Sequence, residues 1–225
     1  NDKGYKNLSQ LVSKIYIEGK GDQYLHLKRD WIPQYSEGLL ALSGGKDGEV
    51  GRALLGRKDE YAARLVREWM ETFPNAYYLE LHRTGREGEE EYNAAAVDLA
   101  LALDCPVVAT NQVRFLAEEE YEAHEARVCI HEGTTLNDPR REKRYSQEQY
   151  LKTPEQMVKL FADIPEAVEN TIEIARRCNV DLDLGSNYMP AYPVPDGYSA
   201  ETYLVEVAKS GLQQRLCLRD QSVDR

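Results

Sequence analysis

Apolar positions recur along this chain with two alternating periods. Over residues 7–17, Leu8, Leu11, Val12, Ile15 and Tyr16 keep the three-and-four spacing of one helical face. Residues 39–43 (LLALS) form instead a short apolar run ending in Gly44-Gly45, the pattern of a buried strand opening into a loop. The helical period returns over residues 59–73, with Tyr61, Ala62, Leu65, Val66, Trp69, Met70 and Phe73 on one stripe, until Pro74-Asn75 stops it. Residues 77–81 (YYLEL) predict a second buried strand, one that carries a carboxylate, Glu80. An Ala- and Leu-rich helix over 90–103 and a third strand over 106–110 (PVVAT) follow.

Strand, helix, strand, helix, strand predicts an α/β architecture with parallel pairing and right-handed crossovers. In barrels of this kind, functional groups gather at the C-terminal ends of the strands. Those ends fall at residues 43–45, 80–85 and 111–115, so chemistry is expected there. Beyond Leu116, residues 117–129 predict a helix whose acidic early turns suit its dipole. A polar, basic loop spans 133–144. Thr153-Pro154-Glu155-Gln156 is a helix start with an N-cap, a proline at the first position and a Gln at the third. A second start at Asp163-Ile164-Pro165-Glu166 leads a helix to about Cys178. Residues 185–197 contain PAYPVPDG and predict a stiff, extended linker. A last helix begins near Ser199, with Tyr203, Leu204, Val207 and Leu212 at helical spacing.

Composition narrows the function classes. The 225 residues carry a formal net charge of −11, which argues against a segment that grips nucleic acid by itself. A basic strip at Arg140, Arg141, Lys143 and Arg144 reads as a solvated loop. No run approaches the roughly 18 apolar residues of a membrane helix. The first residues have neither the basic start nor the apolar stretch of a signal peptide, and without an initiator Met they read as part of something longer. Cys105, Cys129, Cys178 and Cys217 have no CxxC spacing and are expected as reduced thiols of a cytoplasmic protein. His26, His82, His124 and His131 form no HxH or HExxH pair. His124 and His131 lie seven apart on one predicted helical face, but two ligands make a poor transition-metal site, so both read as structural or surface groups. The 15 tyrosines fit either contact surfaces or core positions with satisfied hydroxyls.

Three longer stretches carry more specific information: PVVATNQVRFLAEEEYEAHEARVCIHEGTTLNDPRR, YLKTPEQMVKLFADIPEAVENTIEIARRCNV and MPAYPVPDGYSAETYLVEVAKSGLQQRL. With GYKNLSQLVSKIY and LLALSGGKDGEVGRALL, they resemble the PHP (polymerase and histidinol phosphatase) domain of bacterial replicative polymerase alpha subunits, of the proteobacterial type. The resemblance covers nearly the whole chain; residues 217–225 match nothing in it. It implies a distorted (β/α)7 barrel, incomplete at its N-terminus, over residues 1–184. Residues 185–225 would then be an extended linker and helix leading toward the palm domain.

The resemblance also names the positions to inspect. Metal-bearing members read SGC at the first strand end, where this chain has Gly45. At the third strand end they read Asn, Asp, x, His, where this chain has Asn111, Gln112, Val113 and Arg114. Gln112 offers a neutral carbonyl in place of a carboxylate, and Arg114 brings a permanent positive charge that repels a divalent cation. Glu80 is a possible remnant of the metal site and is expected to pair with Arg83 or Arg114, since buried carboxylates need partners. No catalytic residue, metal ligand or cofactor is expected in the chain itself. The parent polymerase would use Mg²⁺ at aspartates outside it.

Two functions follow. The first is a metal-degenerate scaffold within a replicative DNA-directed DNA polymerase. It would dock the proofreading exonuclease (epsilon) subunit beside other replicase subunits, leave DNA to the parent polymerase, and have no membrane role. The second is an active metal-dependent phosphoesterase or 3′-5′ exonuclease. A generic barrel enzyme with Glu80 as base lacks an assignable nucleophile. In isolation, an open sheet edge would favour a dimer.

Overall fold

A computed structural model describes residues 1–19, 25–187 and 189–223, with side chains as far as residue 217. Tyr188, in the expected linker, and the end of the unmatched tail lie outside the described residues. The chain divides into two compact units, residues 1–181 and 182–225.

The first unit opens with α1 (Asp2–Glu18), whose N-cap Asn1 accepts a hydrogen bond from the Gly4 amide at 3.1 Å. The helix is longer than the expected 7–17 because this cap lies ahead of the apolar stripe. A single turn, α2 (Ile32–Tyr35), precedes β1 (Ala41–Leu42), and α3 (Glu49–Leu55) and α4 (Asp59–Thr72) follow. Next come β2 (Tyr77–His82), α5 (Glu89–Leu103) and β3 (Val107–Thr110). The unit ends with α6 (Tyr121–Glu132), α7 (Pro154–Leu160) and α8 (Pro165–Arg177). Thr153 caps α7 in the expected capping box with Gln156.

The strands lie in the order β1-β2-β3, all parallel. Ala41 pairs with Tyr77, and Leu79 to His82 pair with Val107 to Thr110. This is the predicted α/β arrangement, and the described residues supply three of the seven strands that the family resemblance implies. An isolated parallel bridge between Phe115 and Tyr150 adds a further rung past β3.

Side chains alternate across β2 with a period of two. Tyr77, Leu79 and Leu81 enter a core shared with Val50, Leu65, Val66, Tyr92, Ala96 and Phe161. Each fully buried aliphatic or aromatic side chain there contributes roughly 1.5–3 kcal/mol of transfer free energy. Tyr78, Glu80 and His82 take the opposite face, where the functional groups lie. Beside β3, Asn170 of α8 donates to the Val107 carbonyl at 2.8 Å and satisfies a strand acceptor.

The second unit holds α9 (Ala200–Val223). Ser199 and Thr202 cap it reciprocally, with the Thr202 amide donating to Ser199 Oγ at 3.2 Å and the Ser199 amide to Thr202 Oγ1 at 2.9 Å. Tyr203 packs against Tyr192 and Tyr198, with ring centroids 6.3 and 5.6 Å away. Among the described residues no helix is long and apolar enough to cross a membrane.

Candidate functional site

The first cluster forms where β1 and β2 end. Ser43 Oγ, just past β1, accepts from the Glu80 amide at 2.9 Å and lies 3.4 Å from the Tyr92 hydroxyl. That hydroxyl donates to the Glu80 carbonyl at 2.9 Å. The Glu80 carboxylate accepts from Thr110 Oγ1 at 2.6 Å and stands 3.2 Å from His82 Nε2. Burial pushes the Glu80 carboxyl up, but the His82 imidazole and the Thr110 hydroxyl outweigh it, and the carboxyl sits below its ordinary value.

His82 is fully buried, and among the described residues neither ring nitrogen has a hydrogen-bond partner of good geometry. Its ring lies against Gly45, whose φ is +58°, and a methyl group on residue 45 would overlap Nδ1 and Cε1. The imidazole therefore occupies the space that a side chain at position 45 would need. Strand parity, Glu80-x-His82, is the signal that could have found this pair, whereas the contact with Gly45 comes from a different strand end.

Gln112 has a left-handed backbone with φ of +44°, and its carbonyl accepts from Gln149 Nε2 at 3.2 Å. Arg114 extends over the ring of Tyr145, 5.3 Å from its centroid. The expected pairing of Glu80 with Arg83 or Arg114 does not form. Arg83 follows His82 with opposite parity, so it leaves the Glu80 face and reaches the turn between α7 and α8. There it donates to both carboxylate oxygens of Asp163 at 2.6 and 2.8 Å and to the Leu160 carbonyl at 2.7 Å, lying over the Phe161 ring. Glu80 is bonded instead to the Thr110 hydroxyl, with the His82 imidazole alongside.

A second group, in the connection after β2, escaped sequence reasoning. Glu89, at the start of α5, is 2% exposed. It accepts from the Thr84 amide at 2.6 Å, from Thr84 Oγ1 at 2.7 Å and from Arg86 Nε at 3.0 Å. Arg86 Nη1 continues to Asp47 at 3.0 Å. The run Thr84-Gly85-Arg86-Glu87-Gly88-Glu89 holds these groups, but sequence alone does not show that the second carboxylate turns inward.

The third region follows β3. Asn111 Nδ2 donates to the Glu148 and Tyr150 carbonyls at 2.9 and 2.7 Å, and the Arg114 amide donates to the Gln149 carbonyl at 2.8 Å. His124, on α6, is buried against Phe115 and edge-on to Tyr145. Burial holds its pKa below the ordinary histidine value, with Arg127 and Arg114 adding to burial against the opposing Glu125. His131 is exposed, so the two histidines form no joint site.

The basic strip is solvated at Arg140, Lys143 and Arg144, and only the Arg141 side chain turns inward. Arg140 pairs with Asp138, Arg144 with Glu132, and Arg141 is buried against Glu125. Among the described residues, no three His, Cys, Asp or Glu side chains converge as a potential metal-binding group.

Comparison with known proteins adds two findings. The family profile described as PHP domain matches residues 1–84. Over 216 residues, 96% of the chain, it is 50% identical to a Pseudomonas aeruginosa protein named DNA polymerase III subunit alpha. It is 50% identical over the same length to the protein of that name from Escherichia coli (strain K12) and 46% identical to that from Haemophilus influenzae. The chain spans about 18% of the length of these relatives.

Proposed function

We propose that this chain, which is similar over 96% of its length to part of DNA polymerase III alpha subunits and matches the PHP domain profile over residues 1–84, serves a replicative DNA-directed DNA polymerase as a metal-degenerate scaffold. The observation that carries this is the placement of His82 against Gly45. Where metal-bearing relatives would present a thiolate, this chain has a glycine, and an imidazole fills its space. Glu80 is committed to Thr110 and His82, and Arg114 is stacked on Tyr145. Gln112 could offer only a neutral amide. This donor set does not fit a divalent cation. Mg²⁺ for nucleotide transfer would belong to the polymerase aspartates outside these residues.

As a scaffold, the domain would support the polymerase and dock the proofreading exonuclease subunit in a cytoplasmic replicase. The net charge of −11 favours protein partners over a direct grip on DNA. Self-association through the β1 sheet edge is a further expectation for the isolated chain, and a clean monomer by light scattering would count against it.

The second function, metal-dependent phosphoester hydrolysis, draws on one observation: Glu80 and His82 lie side by side with imidazole nitrogens that lack hydrogen-bond partners. Metal analysis of the full-length polymerase subunit, with hydrolysis of bis-p-nitrophenyl phosphate in Mn²⁺, separates the two. The scaffold predicts no stoichiometric metal and no turnover. Turnover abolished by Glu80→Gln would establish the enzyme instead. Calorimetry with purified exonuclease subunit tests docking, and absence of binding would remove that role.

A further inference from the structure

Between the connection after β3 and the exposed side of α6 lies an open hollow of about 420 Å³. Two exposed apolar side chains, Val113 (44%) and Leu116 (70%), stand on its rim. Arg114 and Arg127 border the same hollow. Neither guanidinium has a carboxylate within ion-pair distance among the described residues, whereas the neighbouring Arg140, Arg141 and Arg144 all do. The one acidic side chain lining the hollow, Glu120, is engaged by the Leu116 and Ala117 amides at 2.8 and 3.2 Å. At the hollow's inner wall, burial lowers the His124 pKa against the opposing Glu125, and Arg127 and Arg114 add to that lowering.

We infer that this hollow is a docking site for a segment of a protein partner in which carboxylates stand beside apolar anchor side chains. Val113 and Leu116 would lose water against the anchors, and Arg114 and Arg127 would meet the carboxylates. Stacking of Arg114 on Tyr145 holds one guanidinium ready without consuming its charge. The charge pattern selects protein over nucleic acid. A phosphate backbone is gripped by a row of cations, but here two cations are bounded by the Glu118–Glu120 turn in a chain of net charge −11. This surface rests on the docking role proposed above and gives it a place.

The test uses the full-length polymerase subunit and a fluorescein-labelled dodecapeptide of alternating Asp and Leu, read by fluorescence anisotropy. Saturable binding is expected. It should weaken about tenfold in Arg114→Glu/Arg127→Glu, and similarly when the peptide's Asp residues become Asn. The variant's circular dichroism and melting midpoint should match wild type, because both residues are exposed. No binding to wild type, or affinities within about twofold across the variants, would overturn the site. So would an unchanged peptide affinity combined with lost binding of a labelled oligo-dT, which would assign the arginines to nucleic acid. Failure of the peptide removes this surface alone, while failure of the exonuclease titration removes the docking role, so the two are distinguishable.

Discussion

The connections that follow β2 and β3 start from neighbouring strand ends, yet they treat their arginines in opposite ways. After β2, Arg83 closes on Asp163, and Arg86 closes on Glu89 and Asp47. These pairs tie the strand end to the turn before α3, to α5 and to the α7–α8 turn. After β3, Arg114 lies on a tyrosine ring, and neither it nor Arg127 of α6 has a carboxylate partner among the described residues. The same residue type at corresponding strand ends is thus cohesive in one case and outward-facing in the other. What decides it is local: strand parity and the depth of the nearest carboxylate, not charge as such. A buried ion pair broken from one side costs much more than an exposed charge removed.

The sharpest break in this contrast is Glu89→Ala. It leaves Arg86 and the Thr84 amide without their buried acceptor and should cost about 3–5 kcal/mol in urea denaturation. A loss under about 1 kcal/mol would mean that the closed side is not held by this pair. Gly45→Ala should cost about 2–3 kcal/mol, because the new methyl group meets the His82 ring at a left-handed backbone position. Adding His82→Ala should recover part of that loss, and strictly additive effects would disprove the contact.

Glu80→Gln should cost about 1 kcal/mol near neutral pH. Because the folded-state pKa of Glu80 is depressed, its contribution is present above the ordinary carboxylate range and is lost as pH falls through the folded value. The stability gap between wild type and variant should therefore close in acid, and a gap independent of pH would contradict the assignment. On the open side, Arg114→Glu and Arg127→Glu should each change stability by less than about 0.5 kcal/mol. A larger loss in either would show that these arginines are structural after all.

Much of the fold was legible in the sequence because its signals are local. YYLEL and PVVAT are apolar runs of strand length, and the α4 stripe and the Thr153 capping box depend on spacings within a few residues. Helix α3 was not foreseen, since seven residues containing Gly51 give too short a periodic stretch. At the candidate site, sequence located the three strand ends and marked Gly45, Glu80, Gln112 and Arg114, but it did not foresee their partners. Arg83 meets Asp163 across 80 positions, and His82 meets Gly45 from another strand. Contacts of that separation are set by the packing of whole elements, which no local pattern encodes. The Glu80–His82 pair is different, because its two-residue spacing on a strand was available in the sequence all along.

The two side-chain amides past β3 have a consequence for how this region can change over time. Asn111 holds the carbonyls of residues 148 and 150, and Gln149 reaches back to the carbonyl of Gln112. Together they clamp the base of the excursion that leads out through α6 and back. Its exposed bend around Thr135–Asp138 lies outside that clamp, and lengthening a flexible loop adds only about 0.6 kcal/mol for each doubling. Insertions there can accumulate almost without penalty, while one added residue between Asn111 and Arg114 would shift the whole base out of step. Variation is thereby channelled away from the strand end and into the bend, a division of tolerance enforced by two amide groups.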